Sequence, residues 1–392
     1  MPDFLKRTWA EIHLDRLDRN LAQLRRTLPP QTRLMSVVKA DGYGHGDRMI
    51  ARRLEQQGVS FFAVSNLEEA LSLRKGGITS DILVLGFTPT ECSAILLENR
   101  ITQTVFSLDY ARELNRSCPP GTFLDCHLKL DTGMPRIGIQ EDGRLSSLPE
   151  LREILKLPRL HCLGLFSHFS SADALDPDSA AYTAMQEERY RQVAAALEQE
   201  GVSFCRHIQN SAGIAFLSER AYDYVRAGII QYGVAPSTEP LPFPLEPVME
   251  LKTVVSMVKE IPADTAVSYG RTFYSSHPMK LATVPIGYAD GYPRLLSNRA
   301  EMLIHGKPAP VCGNICMDQL MLDVTGIEDV HSGDLVTVVG RDGSAEITFA
   351  DLARRIGTIS YELMCLIGRR VPRVYFDQDK MVGIVDYIQQ NG

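Results

Sequence analysis

The chain has 392 residues, 44% of them hydrophobic and 23% charged, with a formal net charge of −7. That balance is ordinary for a globular enzyme with room for two domains, and the negative charge argues against a nucleic-acid or acidic-membrane partner. No apolar run reaches bilayer-spanning length, and the N-terminal Met1-Pro2-Asp3-Phe4-Leu5-Lys6-Arg7 lacks the apolar core of a signal peptide, so a cytoplasmic location is the default expectation.

From about residue 30 to 238, short apolar runs alternate with amphipathic stretches. The strand candidates are Leu34–Val38, Phe61–Val64, Ile82–Leu85, Gln103–Phe106, Leu124–Leu130, Leu160–Phe166, Arg206–Gln209 and Asp223–Arg226. Helical stretches such as Asp47–Gln57, Asn66–Lys75 and Ser179–Glu200 fall between them. Eight such units predict a (β/α)8 barrel, a closed parallel sheet ringed by helices; an open doubly wound sheet is the structural alternative. In the fifth strand Asp125, His127, Lys129 and Asp131 share one face, and Leu124, Cys126, Leu128 and Leu130 share the other. The polar face is expected to point into the barrel, where buried charges need partners; an edge strand half in water would give the same pattern.

After residue 240 the texture changes. Pro242, Pro244 and Pro247 mark a linker. Short runs rich in β-branched residues follow at Leu251–Val258, Lys280–Ile286, Met302–Ile304, Leu320–Val324 and Leu335–Val339, then a helical part from Phe349 to Leu366 and a last strand, Arg373–Phe376. The eight cysteines are scattered. Cys312 and Cys316 have a loosely zinc-like spacing, but no second Cys or His pair accompanies them, so no metal site is expected and reduced core thiols are.

Polar residues gather where the predicted strands end, the face on which such barrels carry chemistry. Lys39 closes the first strand, Arg136 follows the fifth, His168 ends the sixth, Asn210 and Ser211 end the seventh, and Arg226, Gly228 and Ile229 end the eighth. A partly desolvated lysine is a nucleophilic amine, able to form a Schiff base with an aldehyde such as pyridoxal phosphate. A hydroxyl and backbone amides around Ser211 and Gly228 suit a phosphate dianion. The Gly42-x-Gly44-x-Gly46 run has neither the lysine and hydroxyl of a P-loop nor the dinucleotide spacing.

These motifs resemble the alanine racemase family. The stretches that carry the likeness are Val37–Gly46, Leu130-Asp131-Thr132-Gly133-Met134-Pro135-Arg136-Ile137-Gly138, His168, Asn210-Ser211, Arg226-Ala227-Gly228, Ser268-Tyr269-Gly270, Pro285-Ile286-Gly287-Tyr288-Ala289-Asp290-Gly291 and Cys316-Met317-Asp318. They cover nearly the whole chain. The resemblance implies a fold-type III pyridoxal-phosphate enzyme, with a cofactor-binding barrel over 12–240 and a mainly-β domain over 241–392, with which residues 1–11 can pair. It further implies a head-to-tail homodimer with shared active sites and a role in making D-alanine for peptidoglycan precursors or in breaking it down.

By the same resemblance, Lys39 carries the cofactor and acts as base on one face of the substrate, while Tyr269 of the partner subunit acts on the other. Arg226 faces the pyridine nitrogen and is hydrogen-bonded by His168. Arg136 contacts the phenolic oxygen and the substrate carboxylate; Pro135 stands where the family usually has glycine. Tyr43, Ser211, Gly228, Ile229 and Tyr361 match phosphate contacts, and Met317 matches a donor to the substrate carboxylate. Tyr288 and Tyr361 resemble tyrosines that narrow the entrance, which favours alanine. Lys129 matches a lysine carbamylated in some members; pairing with Asp131 is the simpler reading. The alternatives are a racemase of serine or of broader specificity, a two-domain decarboxylase, a barrel that only binds the cofactor, and a cofactor-independent thiol-pair racemase.

Overall fold

The computed structural model describes residues 4–389; residues 1–3 and 390–392, which belong to the N-terminal and C-terminal ranges given above, lie outside the described residues. The chain forms two compact units. One comprises Asp18–Gly42 and Asp47–Glu246; the other comprises the N-terminal residues to Leu17, the short piece Tyr43–Gly46 and the chain from Pro247 onward.

The first unit holds eight parallel strands: Arg33–Val37, Phe61–Val64, Asp81–Val84, Ile101–Val105, Leu124–Asp131, Leu160–Phe166, Cys205–His207 and Tyr224–Ala227. Each pairs with its chain neighbour through the seventh, and the eighth pairs back onto the first, Tyr224 opposite Arg33. That return excludes the open sheet, which would leave two free edges. Between the seventh and eighth strands the ladder lapses, and the Arg226 amide donates to the Gln209 carbonyl at 3.0 Å. The barrel is therefore nearly closed.

Local chemistry sets the helix starts. Asn66 caps Leu67–Lys75 by accepting the Glu69 amide, and Ser107 caps Leu108–Ser117 in the same way. The long helix runs Pro177–Gln199 because Asp176 accepts two amides at its start and Pro177 sits in the first turn, where its missing N–H costs nothing. It therefore begins two residues earlier than the periodicity suggests.

In the fifth strand, His127 and Lys129 are buried as the parity argument expects. Asp125 departs from it. A register shift between Cys126 and His127 breaks the simple alternation, and Asp125 lies exposed, 2.9 Å from His161 Nδ1.

The second unit is built on one large, mainly antiparallel sheet, in the order Met257–Ile261, Met279–Val284, Leu320–Asp323, Lys307–Cys312, Glu301–Ile304, Leu335–Asp342, Met249–Val254, Thr8–His13, Arg373–Asp377 and Lys380–Val385. Thr8–His13 supplies a central strand, antiparallel to Met249–Val254 and parallel to Arg373–Asp377. The expected single run Leu251–Val258 is two strands, because Val255 and Ser256 turn out of the ladder to pair with Asp334 and Thr283. The expected helix from Phe349 to Leu366 is broken in two at Gly357, whose φ of +72° ends the first piece. Lys307–Cys312 is a strand not expected from the sequence; it carries Pro308 and Pro310, which lack the N–H that a ladder uses. Ile261, Val267, Met279, Leu281 and Cys312 form an apolar core cluster, so the Cys312 thiol is packed among hydrocarbon.

No helix among the described residues is long and apolar enough to cross a membrane.

Candidate active site

Lys39 stands at the end of the first barrel strand, and the chain then enters an unusual turn. Ala40, Asp41, Gly42 and Tyr43 all have φ between +52° and +60°. For residues with a Cβ, this left-handed conformation costs roughly 1–2 kcal/mol each, so neighbours must hold it. Glu69 does so with both oxygens: Oε1 accepts the Ala40 amide at 2.8 Å and Oε2 accepts the Ser65 amide at 2.7 Å. Asp41 Oδ1 accepts the Asp47 amide, and the Gly42 amide donates to Val38. Underneath, Gln231 and Tyr232 donate to the Val37 carbonyl. The lysine is half-buried on this pinned corner.

Arg226, on the eighth strand, is buried and spends both terminal nitrogens. Nη1 donates to His207 Nδ1 at 2.7 Å and to the His207 carbonyl; Nη2 donates to His168 Nδ1 at 3.1 Å and to the Ser167 and Ile208 carbonyls. An arginine can only donate. His207 therefore carries its proton on Nε2 and passes the hydrogen bond on to His127 Nδ1, 2.9 Å away. The His207 ring stacks on Phe166 at 4.7 Å. Burial is the first cause that holds all three neighbouring imidazoles neutral, with the Arg226 charge next: His127 is pushed down to about 3, and His168 and His207 lie well below the ordinary histidine range. Burial also lowers Arg226, to about 10, which leaves it charged at neutral pH.

Cations crowd this mouth of the barrel. Arg226, Lys129, Arg136 and Lys39 all act on His168 electrostatically. Lys129 is buried with its Nζ 4.7 Å from the centre of the Phe166 ring. Desolvation first, then Arg226 and Arg136, bring its pKa down to about 7, against a smaller opposing pull from Asp131. A cleft lined by Lys129, Asp131, Met134, Arg136, Ser167 and His168 opens here. Beside it, Asn210 caps the short helix Ser211–Phe216, and the buried Ser211 hydroxyl accepts the Gly228 amide at 3.1 Å and lies 3.5 Å from the Ile230 amide. Lys39, Arg136, His168, Ser211, Arg226, Gly228 and Ile229 thus come together on one unit.

The second unit assembles the remaining predicted residues in two places. The Tyr43 and Tyr361 rings lie 6.1 Å apart, and the segment bearing Tyr43 is tied down by Arg373 and Tyr375, which donate to the Gly44 and His45 carbonyls. Elsewhere, the loops carrying Tyr269, Tyr288 and Met317 interlock. Asn314 Nδ2 donates to the Tyr269 carbonyl at 2.7 Å, and the Ser268 hydroxyl donates to the Asn314 carbonyl. The Tyr288 and Ala289 amides donate to Cys316 and Met317. A Cβ at Gly287 would overlap those two carbonyls, so only glycine permits the approach. Tyr269 and Met317 stay 73% and 52% exposed.

Sequence reasoning missed Glu69 as a backbone clamp and missed His207 altogether. Nothing in their local sequence marks them. The one usable signal was parity: His127 sat on the polar face of the fifth strand, and an inward histidine needs an inward partner.

Fold and site together define a class: a parallel-barrel enzyme with lysine, arginine and hydroxyl donors gathered at its strand ends, continued by a β unit in the same chain. Residues 12–236 match the family described as alanine racemase, N-terminal domain, and residues 248–375 match alanine racemase, C-terminal domain. The chain is 40% identical to alanine racemase 2 of Caldanaerobacter subterraneus subsp. tengcongensis, covering 99% of this chain and 100% of that one. It is 41% identical to the alanine racemase of Desulfovibrio desulfuricans, covering 96% and 100%. Among solved structures, it superposes on alanine racemase from Clostridium difficile 630 with a TM-score of 0.91 at 37% identity, over 97% of this chain and 99% of that one. The Bacillus anthracis alanine racemase with bound L-Ala-P gives 0.92 at 34% identity, over 99% of each. The chain belongs to the alanine racemase family and is an isomerase.

Proposed function

We propose that this protein interconverts L- and D-alanine with pyridoxal 5′-phosphate, using one base on each face of the substrate. The observation that supports this most is the collection of Lys39, Lys129, Arg136 and Arg226 around His168. Such a donor set suits a phosphate dianion, a phenolic oxygen and a carboxylate together. Lys39 would hold the cofactor through its amine. Ser211, Gly228 and Ile229, with Tyr43 and Tyr361, would hold the phosphate. Arg136 would meet the phenolic oxygen, and Arg226 the ring nitrogen, with Nε as the donor not spent on His168 and His207. When bound, the cofactor supplies an electron sink that makes the α-proton of an amino acid removable.

The chain's own residues do the rest. Lys39 takes or returns the proton on one face. Tyr269 does so on the other, from the second subunit of a homodimer; its exposure in the single chain fits a residue that completes a neighbour's site. Arg226 donates and cannot readily hand over its proton, so the sink is held weak and side reactions such as transamination are limited. Arg136, with Met317 of the second subunit, orients the substrate carboxylate. Tyr288 and Tyr361 keep the entrance narrow, which favours a methyl side chain. Lys129, with a pKa near neutrality, is the proposed carbamate, its new negative charge set among Arg136 and Arg226.

The test is to incubate the pyridoxal-phosphate-loaded protein separately with L-alanine, L-serine and L-lysine and to measure the D-enantiomer from each. D-alanine should dominate. Comparable D-serine or D-lysine would remove the argument from the tyrosines, and carbon dioxide without D-product would select the decarboxylase.

A further inference from the structure

One face of the long helix Pro177–Gln199 is devoted to backbone groups of two site loops. Tyr182, Gln186 and Arg189 are spaced four and three residues apart, which stacks them along one side of an α-helix. The Tyr182 hydroxyl donates to the Gly133 carbonyl at 2.7 Å, and Arg189 Nη1 donates to the Thr132 carbonyl at 3.1 Å. Gln186 reaches the other loop: Nε2 donates to the His168 carbonyl at 3.1 Å, while Oε1 accepts the Ser170 amide at 3.0 Å and its hydroxyl at 3.1 Å. Gln186 is fully buried among these groups.

The loop after the fifth strand needs such help. Its near end is a turn in which Asp131 Oδ1 accepts the Gly133 and Met134 amides. Its far end returns to the sheet at Ile139–Gln140. Between them lie Pro135, which has no N–H to give, and Arg136, both exposed. Gly133 has φ +139°, and a Cβ there would press on the Tyr182 hydroxyl, so loop and helix are fitted to each other. Gln186 holds His168, and His168 in turn receives Arg226. One helix face therefore touches both the loop that bears Arg136 and the His168 segment that accepts from Arg226.

We infer that Tyr182 and Arg189 are positioning residues that fix the Arg136 loop for binding the substrate carboxylate, while Gln186 between them fixes the His168 segment. This rests on the function proposed above, in which Arg136 meets that carboxylate. The consequence is a split in kinetics. Loosening the helix face should weaken carboxylate binding and raise KM, with kcat nearly unchanged, because proton transfer is the task of Lys39 and Tyr269.

The experiment uses the holoenzyme and propionate, a carboxylate that cannot react, with affinity measured by calorimetry. Tyr182→Phe removes one hydroxyl from a half-exposed residue and should leave the fold intact. It should weaken propionate, and raise KM for alanine, about fivefold, the scale of one hydrogen bond. Tyr182→Phe with Arg189→Met should go further. Arg191→Ala, on the same helix but paired with Glu188 on its exposed side, should change neither. If Arg136→Lys weakens propionate while the Tyr182 and Arg189 variants leave it unchanged, the inference is overturned and the proposed function stands. If Arg136→Lys also leaves propionate unchanged, the role of Arg136 and the inference fall together.

Discussion

Lys129 shows how much one buried side chain can register. Its amine is lowered from 10.5 to about 7 by burial and by Arg226 and Arg136. Between those two values the unfolded chain binds a proton that the folded chain has released, so stability rises with pH across that window. Below about pH 7 both forms are protonated and the full cost of the buried charge is present. In buffer free of carbon dioxide, Lys129→Met should therefore stabilise the protein at pH 6 and do so less at pH 9, as read from urea midpoints. A gain that is the same at both values would refute the lowered pKa. In ordinary buffer the neutral amine can add carbon dioxide and lose a proton, giving a carbamate. Native mass spectrometry should show one added carbon dioxide that disappears on acidification.

At the scale of elements, strand ends and the turns behind them make the site. The left-handed run Ala40–Tyr43 is locally unfavourable and exists because Glu69, on the helix Leu67–Lys75, accepts one amide from it and one from Ser65. Glu69→Gln keeps the shape but cannot accept at both positions. Losing one charge-assisted bond should cost about 2 kcal/mol in urea unfolding. The same variant should lower the affinity for pyridoxal phosphate, because Lys39 sits on that corner. Unchanged stability and unchanged cofactor affinity would mean that the turn holds itself.

The whole molecule raises the question of subunits. The barrel unit bears Lys39 and the β unit bears Tyr269, and the proposed chemistry needs both at one substrate. In a head-to-tail dimer each site would take its lysine from one chain and its tyrosine from the other. Activity per chain should then fall on dilution below the dimer dissociation constant. Mixing inactive Lys39→Ala and Tyr269→Phe chains should restore activity, because one site of each heterodimer carries both native residues. Full activity in a chain shown by sedimentation to be monomeric would refute the sharing.

By itself, the order of residues determined the succession of strand and helix units and the short motifs. Strand and helix periods alternate in single file, so eight strand–helix units could be read from local pattern, while the choice of a barrel over an open sheet waited on Tyr224 pairing back onto Arg33; Lys39, Arg136, His168, Ser211 and Arg226 stood out because they fall at or just after the ends of predicted strands. Tertiary structure alone decided what lies between those landmarks. The partnership of His127 with His207 spans two strands that are not neighbours. The grip of Tyr182 and Arg189 on the Arg136 loop spans some fifty residues. The central strand Thr8–His13 pairs with Met249–Val254 on one side and Arg373–Asp377 on the other, both far along the chain. Local propensity carries no information about such partners. Their bonds form only once the barrel and the sheet have brought remote backbone and side-chain groups within hydrogen-bond reach.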